Sequence, residues 1–345
     1  TAAADEARFD HDPVTGESLG LLIEESRTNL FTYSEQFDNN GAWSKSNSTI
    51  NPNTTVSPDG TQTADTLTIN TGVTYGRIYR QNLGLASNVY TLSYYLKNTV
   101  KQGTHSIEFY DSSLNVFVAI PSGILGESNP EWRRITVTVD CSASGLSGLD
   151  DIRLNFRPLP SPSDGTNTVD IWGLQLEAGS FPTSYIPTSG SAVTRQPDNA
   201  QITGTNFSSW YNQSEGTVFS DVAAKGVSGI DAAFAIGSSN DSDRWLQQYF
   251  ITTDVFYEYE QGSPPAHPYT NGSYVKSAIG RSQGDNAVGL NGSIVQSDTY
   301  SGIYNPVFLK IGVSGDPTRI FNGHISRLSY YPQRLTDSQL QNLTK

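Results

Sequence analysis

The sequence predicts an all-β protein of two sandwich domains with little helix, and three observations carry that expectation. Short stretches of alternating apolar and polar residues recur along the chain, separated by clusters rich in Gly, Pro, Asn and Ser. Runs of strong helix formers are nearly absent, and only SQLQNLTK at the C-terminus reads as helix. The third observation is a hinge in the middle, QLEAGSFPTSYIPTSGSAVTRQPD, from Gln175 to Asp198. Before it, Val169, Ile171, Gly173, Leu174 and Leu176 alternate with Asp170, Trp172, Gln175 and Glu177, the pattern of a strand with one buried face. Pro182, Pro187 and a Ser/Thr/Gly cluster then stop the strand, and the next apolar alternation begins near Phe207.

A chain of 345 residues divides comfortably into two domains at this hinge. The boundaries expected are an N-terminal arm at 1–28, a first sandwich at 29–187, a linker at 188–204 and a second sandwich at 205–345. The arm contains the turn DPVTG, in which Pro13 presets φ and Gly16 supplies a positive φ. It is expected to pack on the first sandwich as an added strand or arm. Asp10, His11 and Asp12 beside that turn read as solvated turn residues or, less simply, as a metal site.

The first sandwich should contain TADTLTI, GRIYRQNL, YTLSYYLKN, HSIEFYDS, VFVAIP, WRRITVTVD, IRLNFRP and VDIWGLQLE, eight strands, the number of a jelly roll. In YTLSYYLKN, Tyr90, Leu92, Tyr94 and Leu96 share one face, and Thr91, Ser93, Tyr95 and Lys97 share the other. Pro160 to Asn167 reads as loop. The single cysteine, Cys141, excludes an intrachain disulfide and reads as a small core residue. In the second half, Asn291-Gly292 between VGL and SIV is the strongest hairpin signal, a type I′ turn. Thr336 is placed to cap the C-terminal helix, with Asp337 near its positive end.

A formal charge of −13 argues against nucleic acid or an anionic membrane as partner, because both need basic patches. No apolar run approaches the ~20 residues of a membrane-spanning helix. The first residue is Thr and the chain holds no Met, which reads as a segment of a longer or processed chain.

Aromatic side chains are the first candidates for function, since flat rings stack on sugar rings while polar neighbours bind hydroxyls. Trp43, Tyr75, Tyr79, Tyr95 and Trp172 are the candidates in the first domain, and Trp245, Tyr249, Tyr257, Tyr259 and Tyr269 in the second. The alternative for each is the sandwich core, where aromatics dominate by the area they bury. No motif requires a cofactor. The one metal the sequence accommodates is Ca²⁺, through the oxygens of Asn240, Asp241 and Asp243 in the turn SSNDSDRW, with Asp150, Asp151 and Asp164 as weaker ligands. Asp and Asn are also ordinary turn formers.

Catalytic sets are mostly missing. A glycosidase needs two carboxylates at a defined separation, and Glu258-x-Glu260 is the nearest pair. A lyase would need a base such as His267 or Tyr269 beside a neutralising group. Nucleophile-elbow, phosphate-loop and zinc motifs do not occur.

The strings DPVTGESLGLLIEESRTNL, Trp43, SPDGTQTADTLT, WRRITVTVD and WGLQLEAGSFPTSYIPTSGSAVTRQPD, in that order from Arg8 to Asp198, resemble a recurrent module of bacteriophage tail and virion proteins that looks like a jelly-roll carbohydrate-binding domain. The ending FNGHISRLSYYPQRLTDSQLQNL resembles the closing strand and helix of concanavalin-A-like, laminin-G-like sandwiches. What the resemblance implies is a non-catalytic virion protein of tail-fibre type, extracellular, binding host-surface polysaccharide alongside other virion proteins. Fibres of this kind are commonly homotrimers. Two alternatives stay open: a polysaccharide-degrading enzyme or its accessory module, using His267, Tyr269 and Glu258, and a purely structural spacer.

Overall fold

The computed structural model describes residues 6–12, 15–98, 103–125, 129–158, 161–226, 231–238, 244–250, 254–258, 267–299, 305–314 and 319–345. It is 54% strand and 4% helix, in antiparallel sheets. The chain divides into two compact units, Arg27–Arg195 and a second assembled from Thr1–Ser26 with Gln196–Lys345.

The first unit is a sandwich of two five-stranded sheets. One sheet runs Val116–Leu125, Gly103–Asp111, Asp151–Pro158, Gly76–Arg80, Ser44–Ser46 in spatial order. The other runs Asn129–Asp140, Val89–Asn98, Thr168–Ala178, Ala64–Ile69, Ser48–Thr55. The eight strands expected are all present, and two more, Ser44–Ser46 and Ser48–Thr55, form one edge of each sheet. Period-2 alternation sends one side of each strand into a shared core. Tyr90, Leu92, Tyr94 and Leu96 meet Ile107, Phe109, Ile152, Leu154 and Phe156 there, and Cys141 joins them as a free buried thiol.

The strand Thr168–Ala178 departs from its expected pattern in two ways. Val169, Ile171, Leu174 and Leu176 all enter the core although their spacing changes parity midway. The pairing register with Val89–Asn98 shifts between Trp172 and Gln175, and Gly173 between them has φ 65°. A bulge at this glycine inserts the extra residue, so the apolar side faces inward on both sides of it. The second departure is that the strand is buried on both faces. Gln175 and Glu177, expected outside, are inaccessible to solvent. The segment after Gly179 folds back over them: Gln175 donates to the Thr183 and Ser184 carbonyls and accepts from Ile186 N, while Glu177 accepts from Thr183 N and Oγ1. Arg134 closes the layer by donating to the Thr183 carbonyl. The PTSYIP stretch is therefore a cover for this sheet.

The second unit is also a sandwich. Its larger sheet has seven strands, ordered Phe9–His11, Ser18–Ile23, Gly323–Tyr331, Glu215–Ala224, Val275–Ser282, Asp285–Leu290, Ser293–Asp298. The smaller has six, ordered Ala200–Thr203, Phe308–Ile311, Asp231–Gly237, Arg244–Phe250, Asp254–Glu258, His267–Pro268. Phe234, Ile236 and Phe250 from one sheet pack on Val218, Val222, Ile279 and Val288 from the other. Asn291 and Gly292 both take positive φ, 44° and 85°, as a type I′ turn requires. The helix Asp337–Leu343 is closed by a capping box between Thr336 and Gln339, with Asp337 in its first turn. Leu340 seats this helix on Phe219, Ala278 and Ala287.

Two expectations about connectivity are corrected. The N-terminal hairpin does not add to the first sandwich: Leu21, Leu22 and Ile23 pair with Ile325, His324 and Gly323, in the larger sheet of the second. Ile23 supplies a fully buried apolar side chain to that core, which an edge strand of the first unit would not offer it. Gly20, at φ 94°, allows the close approach, since a Cβ there would lie 2.3 Å from the Ile325 carbonyl oxygen. The 188–204 stretch is likewise not a plain linker. Val193–Arg195 pairs with Arg27–Asn29, and Ala200–Thr203 is the edge strand of the six-stranded sheet.

Candidate functional site

The covered sheet of the first unit explains two of the aromatic candidates. Trp172 is 2% exposed, its ring 4.5 Å from Tyr185 and 5.5 Å from Tyr95, and its Nε1 donates to Thr63 Oγ1. Tyr95 is half-buried beside it, with the Arg134 guanidinium 5.7 Å away. The Tyr185 hydroxyl is shared with Ser34 and donates to Glu35, and burial pushes both this phenol and the Glu35 carboxyl upward. Trp43 is corrected outright to a core residue: it is fully buried, edge-on to Phe31 and Phe37, and its Nε1 donates to the Tyr33 carbonyl. It has no free face for a ligand.

Tyr79 stands apart, because it lies on the outward side of the other sheet. Cross-strand register places Ser44, Tyr79, Arg153, Glu108 and Ala119 in one row. The adjacent row holds Ser46, Arg77, Asn155 and Ser106. On the far side, Asp151, Tyr110 and Phe117 are aligned. The alternate residues Ile78, Leu154, Ile107, Phe109 and Phe156 point into the core, so the pleat dictates which side chains face out.

Arg153 organises this open face. Its guanidinium lies 4.6 Å from the Phe117 ring, 5.2 Å from Tyr110 and 6.0 Å from Tyr79, and it donates to Asp151 Oδ2 at 2.9 Å. Phe117 and Tyr110 stack on each other at 4.2 Å, and Phe117 stays 46% exposed. A ring stacked on one neighbour and open to solvent on its remaining surface has the geometry to stack on a flat ligand. Beside it Arg77 lies 4.6 Å from the Tyr75 ring, and its hydrogen bond draws the Tyr75 phenol below its usual range. The end of the platform is tied down by Asp111, which accepts from Ser113, Leu114 and Ser147; the Ser113 and Ser147 hydrogen bonds hold its carboxyl well below the usual carboxylate range.

The remaining candidates are not brought together. Trp245, Tyr249 and Tyr257 occupy the strands Arg244–Phe250 and Asp254–Glu258, with Tyr249 opposite Phe256 and Tyr257 opposite Gln248. Tyr259 and the Ca²⁺ candidates Asn240, Asp241 and Asp243 lie outside the described residues. Tyr269 packs edge-on against buried Phe250 at 4.9 Å, and His267 pairs with Val255 on the short edge strand. The weaker Ca²⁺ candidates are engaged by protein groups: Asp150 accepts from Ser112 N and Oγ, the strand residue Asp151 from Arg153, and Asp164 from Thr166. Asp10 is engaged by His324 at 2.8 Å and Lys225 at 3.3 Å, and the hydrogen bond from His324 lowers its carboxyl far below the ordinary range.

Sequence reading missed Tyr110, Phe117 and Arg153. The signal was available in parity: HSIEFYD puts Ser106, Glu108 and Tyr110 opposite Ile107 and Phe109, and IRLNFRP puts Arg153, Asn155 and Arg157 opposite Ile152, Leu154 and Phe156.

No protein-family model matches the chain, and no curated protein matches it. Among solved structures it is similar to the carbohydrate-binding module CBM40 of the Ruminococcus gnavus IT-sialidase, bound there to α2,3-sialyllactose, at 13% identity and TM-score 0.36 over 43% of this chain and 93% of that one. It is similar to the CBM22-1–GH10 modules of a Clostridium thermocellum endo-1,4-β-D-xylanase at 12% identity and TM-score 0.31, over 48% of this chain and 30% of that one. A Trypanosoma rangeli sialidase mutant displaying trans-sialidase activity matches at 11% identity and TM-score 0.33, over 37% of this chain and 22% of that one.

Proposed function

We propose that this is a non-catalytic glycan-binding protein whose first sandwich takes sugar on the open face of Tyr79, Tyr110, Phe117 and Arg153. The observation that carries this reading is the contrast between the two outer faces. One is sealed by residues 180–188, and the other leaves an exposed Phe117 stacked on Tyr110 and braced by a guanidinium. Pyranose rings present C–H faces to such aromatics, and Glu108, Ser106 and Ser44 border them with hydrogen-bonding groups.

A shallow face makes few contacts per sugar, so each site is weak and repeated copies supply attachment strength through effective concentration. Together with the resemblance of Arg8–Asp198 to phage tail modules, this favours a virion protein of tail-fibre type, trimeric and outside the cell, engaging host-surface polysaccharide. The lyase reading gains no support from Tyr269, whose ring is packed against Phe250.

A glycan array with wild-type protein and the double variant Tyr110→Ala/Phe117→Ala tests the binding. Wild type should give hits that the variant loses, at unchanged melting temperature. Hits retained by the variant would move the site elsewhere, and no hits would leave the structural spacer as the reading. Release of reducing ends or unsaturated sugars that His267→Ala abolishes would replace it with an enzyme.

A further inference from the structure

Building on the glycan-binding reading, we infer that the open face selects glycans carrying an anionic substituent, a carboxylate or a sulfate. The chain as a whole is strongly acidic, with 34 Asp and Glu against 21 Lys and Arg. This face inverts the balance. Arg77, Arg153 and Arg157 point outward on adjacent strands, against Glu108 and Asp151. Asp151 is committed to Arg153 at 2.9 Å, whereas Arg77 and Arg157 form no ion pair among the described residues. Arg157 is exposed beside Thr104, and Arg77 lies next to Asn155 in the cross-strand row.

A second observation comes from hydrogen-bond satisfaction. Asn155 is 4% exposed, and its Nδ2 has no acceptor. The Nε atoms of Arg77 and Arg153 are likewise buried without acceptors. Asn155 and Arg77 are direct cross-strand partners, so their two donors lie side by side for an acceptor that water or a bound group supplies. An oxyanion is the group richest in acceptors, and it answers the cationic excess at the same time. Arg153 stays committed to Asp151 and the rings, so an incoming anion is met by the Arg77 guanidinium turning toward it, with the Asn155 amide beside it and Arg157 already exposed. The face thus divides into an aromatic end, Phe117–Tyr110–Tyr79, for the sugar ring and a donor end, Arg77–Asn155–Arg157, for its charge.

The test is an array that pairs each uronate or sulfated oligosaccharide with its carboxyl-reduced or desulfated form, read at low and high salt. Wild type should bind the charged members about tenfold tighter, and the preference should shrink as salt rises because the site is partly exposed. Arg77→Gln/Arg157→Gln should erase the preference while leaving weak binding to neutral members, and Arg157→Lys should keep most of it. Preference for uronates alone or sulfates alone identifies the anion. Equal binding of charged and neutral members, lost in Tyr110→Ala/Phe117→Ala, would overturn the anion selectivity and leave the glycan site standing. Binding to no member would remove the glycan reading itself.

Discussion

Thr28 and Thr194, 166 positions apart in the chain, share a hydrogen bond of 2.7 Å between their hydroxyls. Around them Arg27 pairs with Arg195 and Asn29 with Val193, so the first and last residues of the inner unit form a two-stranded ribbon. The outer unit closes in the same way just before this ribbon: Asp198 N donates to the Glu24 carbonyl, Glu24 N to Asp198 Oδ2, and Arg8 bridges both carboxylates. The first sandwich is therefore an insertion between the N-terminal hairpin and the remainder of the second.

An inserted domain whose ends meet should be separable. Deleting 27–195 and joining Ser26 to Gln196 through a few Gly/Ser residues should leave a folded, cooperative second sandwich, because its strand Ser18–Ile23 keeps its partner Gly323–Tyr331. Residues 27–195 expressed alone should also melt as a single transition. Deleting only 1–26 should instead destabilise the second unit, since it removes Ile23 from the core. Calorimetry of the three proteins checks this, and a stable second unit without 1–26 would refute it.

Sequence periodicity made most strands, the I′ turn and the helix cap legible, because each is decided within a few residues. What it could not reveal was partnership over distance. The alternation in SLGLLI identifies a strand, yet its pairing with Gly323–Tyr331 depends on a core assembled from the other end of the chain. Trp172, Gln175 and Glu177 have the parity of surface residues and are buried only because PTSYIP folds back over them. The open face was half legible: Tyr79 stands out by its ring, while Arg153 gains its meaning only from the register that sets it among Tyr79, Tyr110 and Phe117.

The parity change at Gly173 gives a sharp prediction. A Cβ there would sit 3.3 Å from Tyr185 and 3.4 Å from Tyr95, on a backbone with φ 65°. Gly173→Ala should cost about 1–2 kcal/mol from the left-handed conformation alone, and more if the cover shifts. Urea unfolding measures it. A neutral effect would mean that the bulge can relax into ordinary strand.

Asp65 should make stability depend on mildly acidic pH. Burial raises its carboxyl to about 6, although Asn53 N and Phe37 N both donate to it. Its ordinary value is 3.8, so the folded state holds the proton more tightly than the unfolded chain does. The stabilisation this group contributes is present at low pH and is lost as pH rises from about 4 through 6. Asp65→Asn should remove that slope from a wild-type-minus-variant comparison of urea midpoints. The variant should also be less stable overall, because one backbone N–H then faces an amide donor. A difference curve flat across that window would contradict the raised carboxyl.

Arg153 should position the sugar platform through shape rather than charge. A lysine there keeps the positive charge but lacks the planar guanidinium that faces Phe117, Tyr110 and Tyr79 while reaching Asp151. Each cation–aromatic contact at a partly exposed site contributes about 0.5–1 kcal/mol, and losing more than one frees Phe117 and Tyr110 to reorient. Arg153→Lys should therefore weaken glycan binding about tenfold, the equivalent of roughly 1.4 kcal/mol. The melting temperature should stay close to wild type, because the core residues Ile152 and Leu154 on the same strand are untouched. Phe117→Leu, which keeps apolar area but no ring face, should lose binding to a similar extent. If Arg153→Lys binds like wild type while Phe117→Leu does not, the guanidinium has no part in holding the rings. If both bind normally, the platform is not where sugar sits.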